Sequence, residues 1–540
     1  MTTQYDFIIR NGSIYDGSGT TPFTGDLAIQ GQYIAKIGNL GPARGRQELD
    51  AAGLAVSPGF INVMSWAPIT SLHDGRSQSD IRQGVTLEVF GEAWSEGPLS
   101  PQMKARYQQE QGDIKFEVAW NTLGEFLDHL AGKGVATNIA SYVGATTLRI
   151  HAVGFDDRPP TADEMNLMRH LTAQAMEEGA LGVSTALIYP PGSYARTDEL
   201  VELAKVVAEY NGIYISHLRS EGNAFLEAID ELLHITREAR IWSEIYHLKA
   251  MGAMNWHKMD KAIAKVEAAR AEGLHVTADM YTYVAGGAGI GATMPQWVQE
   301  GGQDAWIERL RNPDIRKRLH EEMTTPSDEW ENMYLMCGTP DNMLLIGVDT
   351  EALKPLIGKS LSEIAAQRDE HPIDTLMNLV IEDHSGCGMV YFNMSEENKK
   401  KELQLPWVSI GSDAPSQAPE GVFLKSSTHP RAYGCFARYL GHYVRDQQLM
   451  PLEEAIRKIT SFPAANLKIA QRGWLKPGYF ADIAVFDPQE VQDHATFENP
   501  QQYASGMHHV FVNGQQVLKD GEHTGALPGQ VVRGPGYRQG

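Results

Sequence analysis

The sequence predicts an α/β fold: a (β/α)8 barrel carrying a small β-sandwich domain formed by both termini. Three observations lead there. Short strand-like runs alternate with helical ones over roughly 400 central residues, the pattern of repeated strand-helix units around a parallel sheet. Both ends of the chain share a different texture, short polar-apolar alternation broken by Gly and Asp. Two of the central runs end in His and then reach Gly, as buried strands do when they deliver an imidazole to a C-terminal tip.

In chain order, residues 4–56 supply hairpin material such as Phe7-Ile8-Ile9-Arg10-Asn11-Gly12 and Tyr33-Ile34-Ala35-Lys36-Ile37-Gly38. The texture returns at Ala481 to Asp487 and in the hairpin Val510 to Leu518, so residues 1–56 and 466–540 are assigned to one terminal domain. Residues 57–465 are assigned to the barrel. Its strand-like runs are Val85–Phe90, Thr137–Val143, Leu181–Ser184, Ile213–His217, Ile241–His247, His275–Ala278 and Val408–Gly411. Thr161 with Glu164 marks a capping box, and Gly179 stops the helix that begins there. A second helix is expected from Ala224 to Arg237, with Phe225, Ile229, Leu232 and Leu233 facing inward. The run Gly286-Gly287-Ala288-Gly289-Ile290-Gly291 lacks a βαβ setting and a following acidic residue, so it is read as a loop and not as a dinucleotide site. The stretch at about 287–360 breaks the strand-helix rhythm and is expected to be an insertion near the barrel mouth.

Composition narrows the class. With 42% apolar and 21% charged residues the chain matches an ordinary globular protein, and its 540 residues suit a large enzyme core with an accessory module. The formal charge of −22 argues against nucleic acid or an anionic membrane as partner, so an anionic ligand needs locally placed cations. No basic segment followed by an apolar stretch opens the chain, which reads as cytoplasmic. Cys337, Cys387 and Cys435 are widely spaced and form no Cys-x-x-Cys, indicating buried thiols rather than disulfides or a thiolate zinc site.

Chemistry concentrates at the strand ends. His217 and His247 close two apolar runs about 30 residues apart, a strand-helix-strand interval, and adjacent strand tips of a barrel are where a metal is held. Val408-Ser409-Ile410-Gly411-Ser412-Asp413 is a third run, ending in a carboxylate. Alone, Asp413 reads equally as a turn or helix cap. Beside two metal-ligating imidazoles it becomes the natural base, moving a proton from water to a leaving amine. Lys249 and Arg219 stand two residues beyond His247 and His217, available to grip a substrate carboxylate or to pair with acids such as Glu221. Tyr189, Tyr281 and Tyr283 come after strand-like segments and are placed either to line a pocket or to fill core.

These segments together resemble the amidohydrolase superfamily, and within it the D-aminoacylase family of N-acyl-D-amino-acid deacylases. The likeness runs nearly the whole length, through Val56-Ser57-Pro58-Gly59-Phe60-Ile61, Gly182-Val183-Ser184-Thr185, Tyr189-Pro190-Pro191-Gly192-Ser193-Tyr194, Ser216-His217-Leu218-Arg219, Gly411-Ser412-Asp413 and His429-Pro430-Arg431-Ala432-Tyr433-Gly434. The resemblance implies zinc-dependent amide hydrolysis, with His217 and His247 as metal ligands, Asp413 as the catalytic aspartate and Lys249 at the substrate. Arg431 belongs to a motif of that family and is a further candidate for contact with substrate.

The chain departs from the family pattern twice. The strand-1 Asp-x-His-x-His reads Asn62-Val63-Met64-Ser65-Trp66, and Gly-Asn-Cys-Gly reads Gly91-Glu92-Ala93-Trp94. Met is a poor zinc ligand and Trp is none, so the second metal of the family is expected to be missing. Strand alternation carries Glu92 past the strand end to the mouth, making it the candidate third ligand, the alternative being a structural role. The expected protein is a hydrolase with about one zinc ion per chain, held by His217, His247 and Glu92, cleaving the amide of a small carboxylate-bearing N-acyl amino acid. Rival readings are an amidohydrolase acting on a dipeptide, cyclic amide, ureido compound or ester, and a binding protein on a decayed scaffold.

Overall fold

A computed structural model of the chain describes residues 4–384 and 386–538. Eight parallel strands form the barrel: β1 Phe60–Asn62, β2 Val85–Phe90, β3 Asn138–Ser141 continued by Val143–Gly144, β4 Gly182–Ala186, β5 Ile213–His217, β6 Trp242–Ile245, β7 Val276–Met280 and β8 Val408–Ile410. Each strand pairs with the next. The ring closes where Ser65, beyond β1, bridges Ala414, beyond β8. The (β/α)8 architecture therefore stands as the sequence predicted, and the strands are buried along nearly their whole length, as a barrel wrapped by helices requires.

The helices between strands obey their sequence signals. In Ala162–Glu177 Thr161 accepts from the Glu164 amide while the Glu164 side chain returns to the Thr161 amide. The helix Phe225–Ala239 buries Phe225, Ile229, Leu232 and Leu233.

Both termini build the second domain. Strands Gln4–Ile14, Phe23–Gln30, Tyr33–Gly38, Arg44–Asp50 and Ala55–Pro58 join Ile483–Phe486, Met507–Val512, Gln515–Lys519 and Glu522–His523 in one nine-stranded sheet. Ala55–Pro58 pairs antiparallel with Ile483–Phe486, which ties the two ends together. Residues after the last of these strands leave the domain. The Ile139 amide in β3 donates to Gln530, and Val532 donates back to Ile139, so the C-terminal tail is laid against the barrel.

The insertion is larger and more ordered than the sequence suggested. Gly286–Gly289 is a strand, not a loop, and it pairs with Gly388–Tyr391, which also pairs with Met343–Gly347. Because the central strand of this sheet lies at 388–391, the unit extends well past residue 360. It has its own apolar core, including Leu319, Met343, Leu376, Val380 and Met389. All three cysteines are buried and unbridged. Among the described residues, no helix is long and apolar enough to cross a membrane.

Candidate metal centre

Glu92, His217 and His247 meet at the C-terminal mouth of the barrel. One Glu92 oxygen, Oε1, lies 3.2 Å from His217 Nδ1 and 3.3 Å from His247 Nε2. The two imidazoles stand edge to face with centroids 4.5 Å apart. One donor atom from each of the three residues falls within 4.8 Å of the others, and all three side chains are buried.

The backbone is shaped to place them. Gly91, at φ 98°, turns the chain out of β2, and a Cβ there would lie 2.6 Å from the Tyr142 carbonyl oxygen. Ala93, His247 and Asp413 take positive φ values of 57°, 34° and 50°. Left-handed backbone at three non-glycine residues around one site is strain held where function is expected.

Glu221 faces the far side of both rings. Its Oε1 lies 2.9 Å from His247 Nδ1, and its Oε2 lies 3.5 Å from His217 Nε2. Each imidazole thus keeps one nitrogen toward Glu92 and the other toward Glu221, the arrangement that orients a metal-ligating histidine. Burial opposes ionisation of Glu92, yet hydrogen bonds to His217 and His247 bring its carboxyl down to about 2. Burial holds His217 below the usual imidazole range. For His247, burial and the Lys249 ammonium work against the cation, while Glu221 and Glu92 outweigh them and raise it to about 9. The cluster accordingly gathers negative charge around two imidazoles in a dry site, a donor set of His2Glu type that fits a divalent transition metal.

Asp413 stands across the cavity mouth. Its Oδ1 accepts from the Trp66 indole at 3.0 Å, and its Oδ2 forms an ion pair with Arg431 at 2.7 Å. Burial raises its carboxyl above the usual range, opposed by Arg431. Arg431 also lies 4.4 Å over the Tyr281 ring. Gly287, on the insertion strand, explains the glycine run at this point: a Cβ there would come within 3.1 Å of Arg431 Nη2.

A cavity of about 440 Å³ joins these groups, lined by Trp66, Trp94, Tyr189, Lys249, Tyr281 and Arg431 around the three donors and Asp413. Lys249 reaches it while bonding Glu221 at 2.6 Å and His247 Nδ1 at 2.7 Å. Two sequence candidates lie elsewhere. Arg219 turns away to Glu231 at 2.8 Å and to the carbonyls of Ser193 and Ala195, on the wall of a different cleft. Tyr283 gives its hydroxyl to Asp493 at 3.1 Å and is outside the cavity lining, tying the terminal domain to the barrel. Conversely Glu221 was not singled out by the sequence as a site residue. Its one signal is the His217-x-x-x-Glu221 spacing.

Met64 is packed in the core beneath Gly411, Trp66 binds Asp413, and Ala93 engages its neighbours through its backbone, its amide donating to Ser184 and its carbonyl accepting from Thr146. None is a metal donor. Among the described residues the other compact group of such donors is His320, His371 and Asp374, on the insertion, where Arg316 already pairs with Asp374 at 2.6 Å.

The Amidohydrolase family profile matches residues 408–518, the segment that carries Asp413 and Arg431. A D-aminoacylase of Alcaligenes xylosoxydans xylosoxydans is 33% identical over 98% of this chain and 97% of its own length. The chain belongs to the D-aminoacylase branch of the amidohydrolases. Among solved structures, the N-acyl-D-glutamate deacylase of Bordetella bronchiseptica, complexed with zinc and a phosphonate mimic of the tetrahedral intermediate, superposes with a TM-score of 0.80, at 29% identity, over 98% of this chain and all of that one. A D-aminoacylase described by a binuclear metal centre, with one-metal activation and second-metal attenuation, gives 0.80 at 32% identity and the same coverage. As an amidohydrolase of this branch, the protein is a metal-dependent hydrolase acting on carbon–nitrogen bonds.

Proposed function

We propose that this amidohydrolase cleaves the amide of an N-acyl-D-amino acid, using a single zinc ion held by Glu92, His217 and His247. The observation that carries the reading is the single Glu92 oxygen placed 3.2 and 3.3 Å from a nitrogen of each histidine. Support for one ion comes from Met64, Trp66 and Ala93, none of whose side chains is a good zinc donor. Support for the substrate comes from the relatives, named as a D-aminoacylase, an N-acyl-D-glutamate deacylase and an N-acyl-D-aspartate deacylase.

When bound, zinc would polarise the amide carbonyl and lower the pKa of the attacking water toward neutrality. Asp413 takes the water proton and passes it to the departing amine nitrogen. Glu221 keeps both imidazoles oriented throughout. Arg431, Lys249 and the Tyr281 side of the cavity receive the substrate carboxylate, supplying the local cations that a chain of charge −22 otherwise lacks. A substrate carboxylate on Arg431 competes with Asp413 for the same guanidinium, so binding frees the base as it docks the substrate.

Metal analysis with a substrate panel tests this. About one zinc per chain is expected, with hydrolysis of N-acyl-D-amino acids abolished in Asp413→Asn. Two ions per chain would refute the single-metal site. No turnover across D and L panels would refute the N-acyl amino acid reading.

A further inference from the structure

A second cavity, about 460 Å³, lies beside the catalytic one, and Trp94 lines both. Trp94 belongs to the loop after β2, which also lines the second cavity through Glu96 and Leu99, and the cavity is completed by the helix Pro101–Gln109 with Glu110 after it and by residues of 147–155, beyond β3. The cations of the catalytic cavity, Lys249 and Arg431, come after β6 and β8, and ring contacts lead from Arg431 through Tyr281, His247, His217 and Tyr189 to Trp94. A substrate whose carboxylate lies on Arg431 and whose amide lies at the His217–His247 pair therefore directs its acyl group toward Trp94.

The second cavity is built to take a hydrocarbon. Leu99, Met103, Ile150 and Phe155 line it together with the Trp94 ring. Four of its polar side chains pair with one another. Glu96 accepts from the Tyr107 hydroxyl at 2.8 Å, and Arg106 pairs with Glu110 at 2.7 Å while stacking 4.7 Å from Phe155. Trp94 itself is 36% exposed, a large apolar surface left open at the boundary of the two spaces.

We propose that this cavity is an acyl-chain subsite, and that the preferred substrates carry an unbranched acyl group well beyond acetyl, its tail running past Trp94 between Met103 and Phe155. The inference rests on the N-acyl amino acid reading above and specifies its acyl half.

The test compares N-acetyl with N-octanoyl derivatives of one D-amino acid, on the wild-type enzyme and on Met103→Glu, which places a charge in the cavity from a half-buried helix position. Wild-type kcat/KM is expected to be about tenfold or more higher for octanoyl, since each methylene removed from water adds to binding. In Met103→Glu the octanoyl-to-acetyl ratio is expected to fall about tenfold, with acetyl turnover reporting that the variant is folded. Acetyl preferred by the wild type, or a ratio untouched by the substitution, would overturn the subsite while leaving the hydrolase reading intact. Hydrolysis of neither acyl length would overturn both.

Discussion

Trp66 donates its indole N–H to Asp413 Oδ1 at 3.0 Å, from the strand-1 position where the family pattern has a histidine. A residue that cannot bind metal has become a hydrogen-bond donor to the proposed base. With Arg431 on the other oxygen, both Asp413 oxygens are engaged before substrate arrives. A neutral donor on a carboxylate favours its charged form, so Trp66 keeps Asp413 available as a base against the burial that raises its pKa.

Trp66→Phe keeps the ring and removes the donor. Hydrogen bonds to charged groups contribute about 1.5–3 kcal/mol, and kcat is expected to fall roughly tenfold or more. Losing the donor raises the Asp413 pKa, and the reaction needs the carboxylate, so the acid limb of the kcat/KM profile moves to higher pH. Zinc content should stay at the wild-type value. A parallel loss of zinc would instead assign Trp66 to holding the site together.

Arg431 has two partners in prospect, Asp413 and the substrate carboxylate. Arg431→Met is expected to lower kcat/KM for N-acyl-D-amino acids by about two orders of magnitude, the cost of an unmatched carboxylate in a buried site. The corresponding N-acyl amines, which lack the carboxylate, should lose far less. Equal losses for both substrate types would mean that Arg431 acts on Asp413 alone.

Much of this arrangement was legible in the sequence because strand tips are legible. An apolar run that ends in His or Asp reports both the strand and the side chain it delivers, and His217, His247 and Asp413 all stand at such tips. Side chains beyond a tip are not legible, because their direction depends on how the backbone leaves the strand. Lys249 and Arg219 have the same spacing from their histidines, yet only His247 has a positive φ, and the two chains part company there. Lys249 reaches the cavity and Arg219 the Glu231 cleft. Tyr281 and Tyr283 divide in the same way, one beneath Arg431 and one against Asp493. The glycine run became a strand because its partner, Gly388–Tyr391, lies about a hundred residues away in sequence, beyond any local signal.

Glu92→Ala tests the third ligand directly. Removing one of three protein donors from a hydrolytic zinc site should lower zinc affinity by at least about 100-fold, measured by competition with a chelator. Glu92→Gln keeps the shape and loses the charge, and should fall between the two. Undiminished affinity in both variants would leave Glu92 a structural partner of the histidines.

Glu331, on the insertion, accepts from the Glu221 amide at 3.1 Å and so helps hold the residue that orients both imidazoles. Burial, then the nearby Glu221 charge, raises its carboxyl to about 7. An unfolded glutamate titrates near 4.3, so the folded chain holds this proton more tightly than the unfolded one. The associated stability is complete below about pH 4 and is lost as pH rises toward about 7, on the order of 3 kcal/mol in all. Glu331→Gln, which cannot ionise, should remove that slope. Urea midpoints at pH 5 and pH 8 check it: the wild-type protein should lose more stability between the two than the variant does, and matching losses would show that Glu331 is charged in the fold throughout.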